Sequence, residues 1–129
     1  MEQLLRAALI EWLRGDAELT ARLNAIEEEA PVTATPPWLG IAASASIDWS
    51  VKTRTGREIR LALELTDRQE ASADMAVTTR LIEQRIGAFM PDQDGFECVG
   101  IQFLRGRAER RPRALRTVLL EYRFRVLAT

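Results

Sequence analysis

The side chains that carry chemistry in this sequence are few, and none of them stands in a catalytic pattern. The chain contains no histidine, which removes the commonest general base and the commonest transition-metal ligand. Glu27, Glu28 and Glu29 form an acidic run, but adjacent residues of an extended chain point apart and do not converge on one hard cation. Asp92 and Asp94 lack the spacing, with its glycine and distal glutamate, of a calcium-binding loop. We therefore expect neither a bound metal nor a cofactor.

The one cysteine, Cys98, is also a poor candidate for catalysis. It lies one residue out of phase with the apolar alternation of Val99, Ile101 and Phe103, and no activating pattern surrounds it. A small structural residue is the better interpretation, and a single cysteine excludes an internal disulfide. The sequence also lacks a P-loop and the glycine pattern of a dinucleotide-binding fold. We predict that the protein is not an enzyme and has no hydrolase, transferase or metal-dependent activity.

The densest charge lies in residues 105–116, which hold six arginines and one glutamate for a local balance of +5. Gly106 and Pro112 favour a loop over a regular strand, and like charges in a short segment repel, so we expect a mobile loop that extends from the sheet. Two kinds of partner are candidates to compensate this charge: acidic groups of a neighbouring subunit, and DNA phosphates. The third interpretation is a solvated hairpin tip that has no partner. The candidate interface residues are the arginines of this loop, the acidic run and two basic residues of an earlier turn: Arg105, Arg107, Arg110, Arg111, Arg113, Arg116, Glu27, Glu28, Glu29, Lys52 and Arg54.

Length and composition predict a single globular domain that spans residues 1–129. The chain is 47% hydrophobic and 29% charged, which favours a folded core over disorder. Residues 1–51 hold three basic and eight acidic side chains, a charge of −5, whereas residues 52–129 hold fifteen and eleven, a charge of +4. This asymmetry fits an acidic and a basic face that meet between subunits, or equally two solvated surfaces that happen to differ. No apolar run is long enough to span a membrane, and the first residues do not resemble a signal peptide.

Helical periodicity and capping residues mark three segments. Residues 2–14 carry an apolar stripe, and Gly15 ends this first helix. Asp16 is suited to cap a second, short helix that continues to about residue 23. A long helix that ends at about residue 89 also has one apolar face, which predicts that it packs on a sheet.

Period-two alternation predicts two hairpins, with a short edge strand at residues 25–26. The first hairpin runs from residue 39 to residue 66 with a charged turn at residues 52–57, and the second joins strands at residues 96–104 and 118–126. In the first strand every second residue is apolar and is expected on one buried face: Leu39, Ile41, Ala43, Ala45, Ile47, Trp49 and Val51. The expected fold is α+β, a two-layer sandwich with an antiparallel sheet of about four main strands in two hairpins. The N-terminal helix pair and the long helix are expected to pack on one face of this sheet.

Three motifs and the order of the elements resemble a known family. The motifs are Pro37-Trp38-Leu39-Gly40, Asp48-Trp49-Ser50-Val51-Lys52-Thr53 and Gly56-Arg57-Glu58. A helix that begins near residue 70 and a final pair of strands follow them. The chain resembles the small tail-completion proteins, or tail terminators, of siphophages and of alphaproteobacterial gene transfer agents, a family long catalogued as a domain of unknown function. The resemblance covers nearly the whole chain, although the family usually has a small-residue turn where this chain has its arginine-rich loop.

The resemblance implies a structural virion protein without a catalytic motif. Such a tail terminator forms a hexameric ring as a homo-oligomer, caps the tail tube protein and joins the tail to the head-side connector or adaptor protein. DNA passes through the lumen without sequence-specific binding, and no membrane is involved. The implied location is the bacterial cytoplasm during assembly and then the phage or gene-transfer-agent particle. A ring subunit needs two unlike faces for head-to-tail contacts that close, and the charge asymmetry is compatible with this.

Two other interpretations remain open at this point. A head–tail adaptor or a tail tube subunit shares the setting but not the role. A nucleic-acid-binding module belongs to a different class and uses residues 105–116 as its phosphate-binding element. The net charge of −1 and the lack of an aromatic residue in this segment speak against the second interpretation.

Overall fold

The computed structural model describes residues 1–29, 31 and 33–129. Its helices are α1 (Glu2–Arg14), α2 (Ala17–Arg22) and α3 (Ser72–Gly87), and a 3-10 turn (Gln69–Ala71) directly precedes α3. The carboxylate of Asp16 accepts hydrogen bonds from the backbone N–H groups of Glu18 (2.9 Å) and Leu19 (3.3 Å). These bonds satisfy donors that the first turn of α2 leaves without a partner, which confirms the predicted cap.

The strands are β1 (Ala25–Ile26), β2 (Trp38–Asp48), β3 (Gly56–Arg68), β4 (Asp92–Gln93), β5 (Phe96–Arg111) and β6 (Leu115–Ala128). They form one sheet in the order β1-β2-β3-β6-β5-β4, in which β1 runs parallel to β2 and the other neighbours are antiparallel. The sheet curls into a half-barrel. The predicted two-layer sandwich on an antiparallel sheet of about four strands is therefore wrong, because the sheet has six strands, is mixed and is curled.

Short edge strands and bulges account for this difference. β1 was predicted as an edge strand but not its direction, and β4 was not predicted, because two residues are too few to show a period. The ladder register shifts once in β2, at residue 42, and twice in β5, at residues 99 and 104. Each such bulge bends its strand and increases the local twist, which favours a curled sheet over a flat layer.

The bulge at Ala42 also reverses the two faces of β2 partway along the strand. Ile41, before the bulge, is buried in the core, whereas after the bulge Ser44, opposite Leu61 of β3, points to that side. One inserted residue shifts the period-two alternation by one. The prediction of a single buried face from residue 39 to residue 51 is therefore wrong, and four residues expected in the core are exposed: Ala43, Ala45, Ile47 and Val51.

The helices cover one side of the sheet, which we call the inner face. Core residues with no exposed surface include Leu5, Leu9, Leu13, Leu19, Ile59, Leu63, Ile82, Ile86, Phe124 and Val126. Trp12 and Arg85 connect α1 with α3: the indole N–H donates to the Arg85 carbonyl (2.7 Å), and the guanidinium donates to the Trp12 carbonyl (2.8 Å). The guanidinium carbon lies 3.5 Å from the centre of the indole ring, a cation–π contact. Trp12 is thus a packing residue between two helices.

The loop between β2 and β3 is anchored to the end of β6. The backbone N–H of Trp49 donates to the Gly56 carbonyl (2.9 Å), and the Ser50 hydroxyl accepts from the Gly56 N–H (3.1 Å). The guanidinium of Arg54 donates to the Ala128 carbonyl (3.0 Å). The Asp-Trp-Ser and Gly-Arg-Glu motifs therefore build a corner of the fold, in which main-chain and short polar groups satisfy one another.

Candidate subunit interface

The arginine-rich residues lie on a β-hairpin and not in a loop. β5 continues through Arg111, and only residues 112–114 separate it from β6. In this turn Arg113 and Ala114 have positive φ values of 64° and 57°. The turn is also anchored, because the backbone N–H of Gln69 donates to the Ala114 carbonyl (2.9 Å). The predicted mobile loop is therefore wrong, since pairing with β6 along its whole length holds the segment in the sheet.

Three of the six arginines whose charges were expected to repel are paired with carboxylates of the same subunit. Arg105 pairs with Glu121, which lies directly opposite on β6. Glu109 accepts ion pairs from Arg107 (3.0 Å) and Arg111 (3.1 Å). The hydrogen bond from Arg105 lowers the pKa of Glu121 below its ordinary value and raises the pKa of Arg105 itself. These pairs explain how a segment with six arginines forms a strand.

Three arginines at the end of the hairpin have no acidic partner within 4.0 Å among residues 1–29, 31 and 33–129, and we call them the basic tip: Arg110, Arg113 and Arg116. Arg110 and Arg116 are direct cross-strand neighbours. Like charges at directly opposite positions of neighbouring strands destabilise a sheet. The end of the hairpin is therefore less stable in an isolated subunit than in contact with an anionic partner. The basic tip is the part of the hairpin whose charge is left to solvent or to a partner.

The acidic run lies beyond β1, at the opposite edge of the sheet from β5. The N–H of Glu27 donates to the Leu39 carbonyl (3.0 Å), and the carbonyl of Glu28 accepts from the Ile41 N–H (3.3 Å), so the run continues along β2. Its three side chains are exposed, and only Glu28 has a basic neighbour, Arg6, at 3.6 Å. The structure therefore does not bring the acidic run and the basic tip together within one subunit, because they lie at opposite edges.

Lys52 and Arg54, the two basic residues proposed from the turn of the first hairpin, have different surroundings. Lys52 is exposed. Arg54 also donates to the carboxylate of Glu97 (2.9 Å), in addition to its bond to the β6 backbone. The charge of Arg54 is thus compensated within the subunit, where it holds the loop against β5 and β6.

The side of the sheet opposite the helices, the outer face, holds a charge cluster that the sequence reasoning missed. The carboxylate of the buried Glu58 lies 3.1 Å from Nε of Arg125 and 3.8 Å from Nε of Arg123. The Arg125 guanidinium lies 5.3 Å from the centre of the Trp49 ring. The sequence did not reveal that β3 lies next to β6, and this neighbour supplies Glu58.

The outer face also carries a shallow groove of about 390 Å³. Ala43, Ala45 and Ala62 contribute small side chains to it, and Arg60 and Arg105 contribute charge.

Within the described part of the chain, no group of three or more acidic or cysteine side chains is placed to hold a metal ion. None of the described helices combines the length and the apolar composition needed to cross a membrane.

Cys98 is buried on the inner face, with its thiol 3.6 Å from the Gly100 carbonyl. Burial raises the pKa of the thiol to about 11. At pH 8 we expect a thiol reagent to label the native protein about 100-fold more slowly than the unfolded chain, because only the thiolate reacts and its fraction falls about tenfold per pKa unit. Labelling rates with and without denaturant test this, and equal rates would place the thiol at the surface.

Comparisons with known proteins address the fold and the family. A chain of a solved structure titled "Virion of native gene transfer agent (GTA) particle" matches with a TM-score of 0.79 and 22% identity, over 97% of this chain and 96% of that chain. At this identity the match shows a shared fold. No curated protein matches the sequence. The model of the family described as "Tail completion protein gp17" matches residues 7–127. Since this match spans nearly the whole chain, the protein belongs to the tail completion protein gp17 family.

Proposed function

We propose that the protein is a tail terminator: a subunit of a homo-oligomeric six-fold ring that caps the tail tube and joins it to the head-side connector. The family gives it a structural role in a phage-type tail. The ring, the connector contact and the passage of DNA through the lumen are parts of the proposal. Assembly in the bacterial cytoplasm and later residence in the particle follow from the same role.

The observation that carries this proposal is the placement of the basic tip and the acidic run at opposite edges of one sheet. A contact between unlike edges is heterologous, and a heterologous contact that closes generates a ring. Opposite charges on the two edges favour contact of a basic edge with an acidic edge and disfavour contact of two like edges. A non-enzymatic role agrees with this, since it requires surfaces and not an assembled catalytic site.

DNA is not the preferred partner of the arginines. Five of the basic residues on the hairpin are already paired with carboxylates of the same subunit: Arg105, Arg107, Arg111, Arg123 and Arg125. Paired arginines offer less charge to a phosphate backbone, whose binding depends on the number of cations that neutralise it. Arginines that are paired within the subunit hold DNA less tightly, which suits a lumen through which DNA must slide.

The double variant Arg110→Ser, Arg113→Ser tests the proposal. Both residues are exposed, so the free energy of unfolding should change by less than about 0.5 kcal/mol. Capping of purified tail tubes, counted by electron microscopy, should fall strongly, and particles made with this variant should lack joined tails. Loss of capping with an intact fold is the expected signature of an interface defect.

The matched control is Arg22→Ser, Arg57→Ser, which removes the same charge from exposed positions outside the hairpin. It should cap tubes and join tails as the wild type does. Normal capping by the Arg110, Arg113 variant would remove the basic tip from the interface. Wild-type protein found along the tube, and not at its upper end, would instead identify a tail tube subunit and overturn the terminator role.

A further inference from the structure

We propose that neighbouring subunits are joined by main-chain pairing between the free edge of β5 in one copy and the free edge of β2 in the next. The curled sheet then continues from subunit to subunit. This inference rests on the proposed ring and specifies how its subunits are held. The occupant of each edge is a second copy of this chain.

β2 and β5 each have a long edge that the described residues leave unpaired. β1 pairs only with the first two residues of β2, and one further bond joins the acidic run to Ile41. Residues 42–48 then have no strand on that side. β4 pairs only with Phe96 and Glu97 of β5, and the N–H of Cys98 donates one further bond to the Pro91 carbonyl. Residues 99–111 have no described neighbour on their free side.

Beyond the bulge at Ala42, the free edge of β2 lacks the features that prevent pairing with other chains. Natural edge strands are blunted by lysine, proline, inward-pointing charges, β-bulges or a covering segment. Residues 43–48 read Ala-Ser-Ala-Ser-Ile-Asp, with no basic residue, no proline and one charge at the end. A free edge of this composition can pair with strands of other chains and so promotes aggregation. This composition therefore favours an edge that is covered by a specific strand in the assembled state.

The strand order gives the two edges the correct relative direction. β2 is antiparallel to β3, β3 to β6, and β6 to β5, so β2 and β5 run in opposite directions. A second copy placed edge to edge in the same orientation therefore aligns its β2 antiparallel to β5. Each copy uses β5 on one side and β2 on the other, which is the head-to-tail geometry of a closed ring.

The two ends of this strand pair are complementary in different ways. In the antiparallel direction, the arginine-rich second half of β5 lies towards the start of the neighbouring β2, where β1 and the acidic run flank that strand. The other end of β5 brings Val99, which is 44% exposed, towards Ile47 of the neighbour, which is 62% exposed. Charge at one end and apolar surface at the other select the antiparallel direction and this pair of edges.

The variant Ser46→Pro blocks the free edge of β2 without breaking its pairing with β3. The N–H of Trp49 bonds the Gly56 carbonyl, and main-chain groups alternate along an antiparallel ladder, so residues 47 and 45 also face β3. The N–H of Ser46 therefore faces the free edge. Proline removes that donor and is tolerated on edge strands, whereas the matched control Ser46→Ala retains the donor.

We expect Ser46→Ala to assemble on tail tubes as the wild type does, and Ser46→Pro to need at least tenfold more protein for half-maximal capping. In wild-type assemblies, hydrogen exchange at residues 43–48 and 99–104 should slow at least 100-fold relative to the free subunit. Normal capping by Ser46→Pro would overturn the edge pairing. Slowed exchange on β2 but not on β5 would show that a strand of another protein pairs with β2. This result would also overturn the proposed pairing between subunits.

The exchange measurement uses unmodified protein, so it decides the question even if Ser46→Pro fails to fold. Capped and joined tails with unprotected edges would reject the edge pairing and leave the terminator role intact. Protected edges in rings located inside the tube would reject the terminator role and leave the pairing intact. The two hypotheses are therefore separable.

Discussion

Gly56→Ala is expected to destabilise the protein by about 3 kcal/mol, the upper end of the usual cost of inserting a methyl group into a closely packed site. A Cβ atom at this position would lie 2.4 Å from the Trp49 carbonyl oxygen, 2.7 Å from Cδ2 of Leu127 and 3.0 Å from the Val126 carbonyl oxygen. Two of these atoms belong to the backbone and cannot rotate away. The loop that carries the family motif would have to separate from β6. Urea denaturation followed by tryptophan fluorescence measures the loss.

Gly87→Ala is the matched control. Gly87 is the last residue of α3, and a Cβ atom there has no neighbour within 4 Å. A helical backbone is more stable with alanine than with glycine. The free energy of unfolding of this variant should therefore be unchanged or higher by up to about 1 kcal/mol. If both variants unfold at the same urea concentration, the close approach at Gly56 is wrong.

Phe124→Ala should cost about 3–5 kcal/mol, the range for truncating a buried aromatic residue. Phe124 has no exposed surface, and its ring lies 6.4 Å from that of Phe89 in an edge-to-face arrangement. Truncation leaves a cavity where β6 meets the segment after α3. Thermal and urea denaturation give the change in the free energy of unfolding.

Phe103→Ala is a control with the same chemistry and a different environment. Phe103 is 45% exposed and touches mainly Tyr122, with ring centres 5.3 Å apart, so its truncation should cost about 1 kcal/mol. Arg125→Ala is a less suitable control because Arg125 pairs with the buried Glu58. A larger loss for Phe103 than for Phe124 would contradict the register of β5 and β6.

Features encoded within a few residues could be predicted from the sequence. Asp16 at the start of α2 is one example, because the side chain that accepts the bonds and the groups that donate them are neighbours in the chain. The bulge at Ala42 could not be predicted in this way. The alanines at and after the reversal, Ala42, Ala43 and Ala45, fit either face of a strand, and so the sequence does not indicate where the phase changes.

Features that depend on a distant neighbour were missed. Gly106 and Pro112 favoured a loop, but Gly106 lies within β5 opposite Leu120. Glu121 of β6 supplies a countercharge to the hairpin that the local count of charges did not include. The candidate residues of the interface stay a prediction. Their division into an acidic and a basic group followed from the sequence, whereas their location at opposite edges depends on a strand order that no local pattern contains.

The register between β3 and β6 has a consequence for how the chain is made. These central strands pair from Gly56 opposite Leu127 to Arg68 opposite Leu115, although residues 69–114 separate them in sequence. During synthesis β3 can pair with β2 early, but its other edge waits until β6 has left the ribosome. Such late, non-local pairing slows folding and exposes apolar strand surface to other nascent chains. A chain interrupted before residue 115 therefore cannot close its core and is a substrate for quality control.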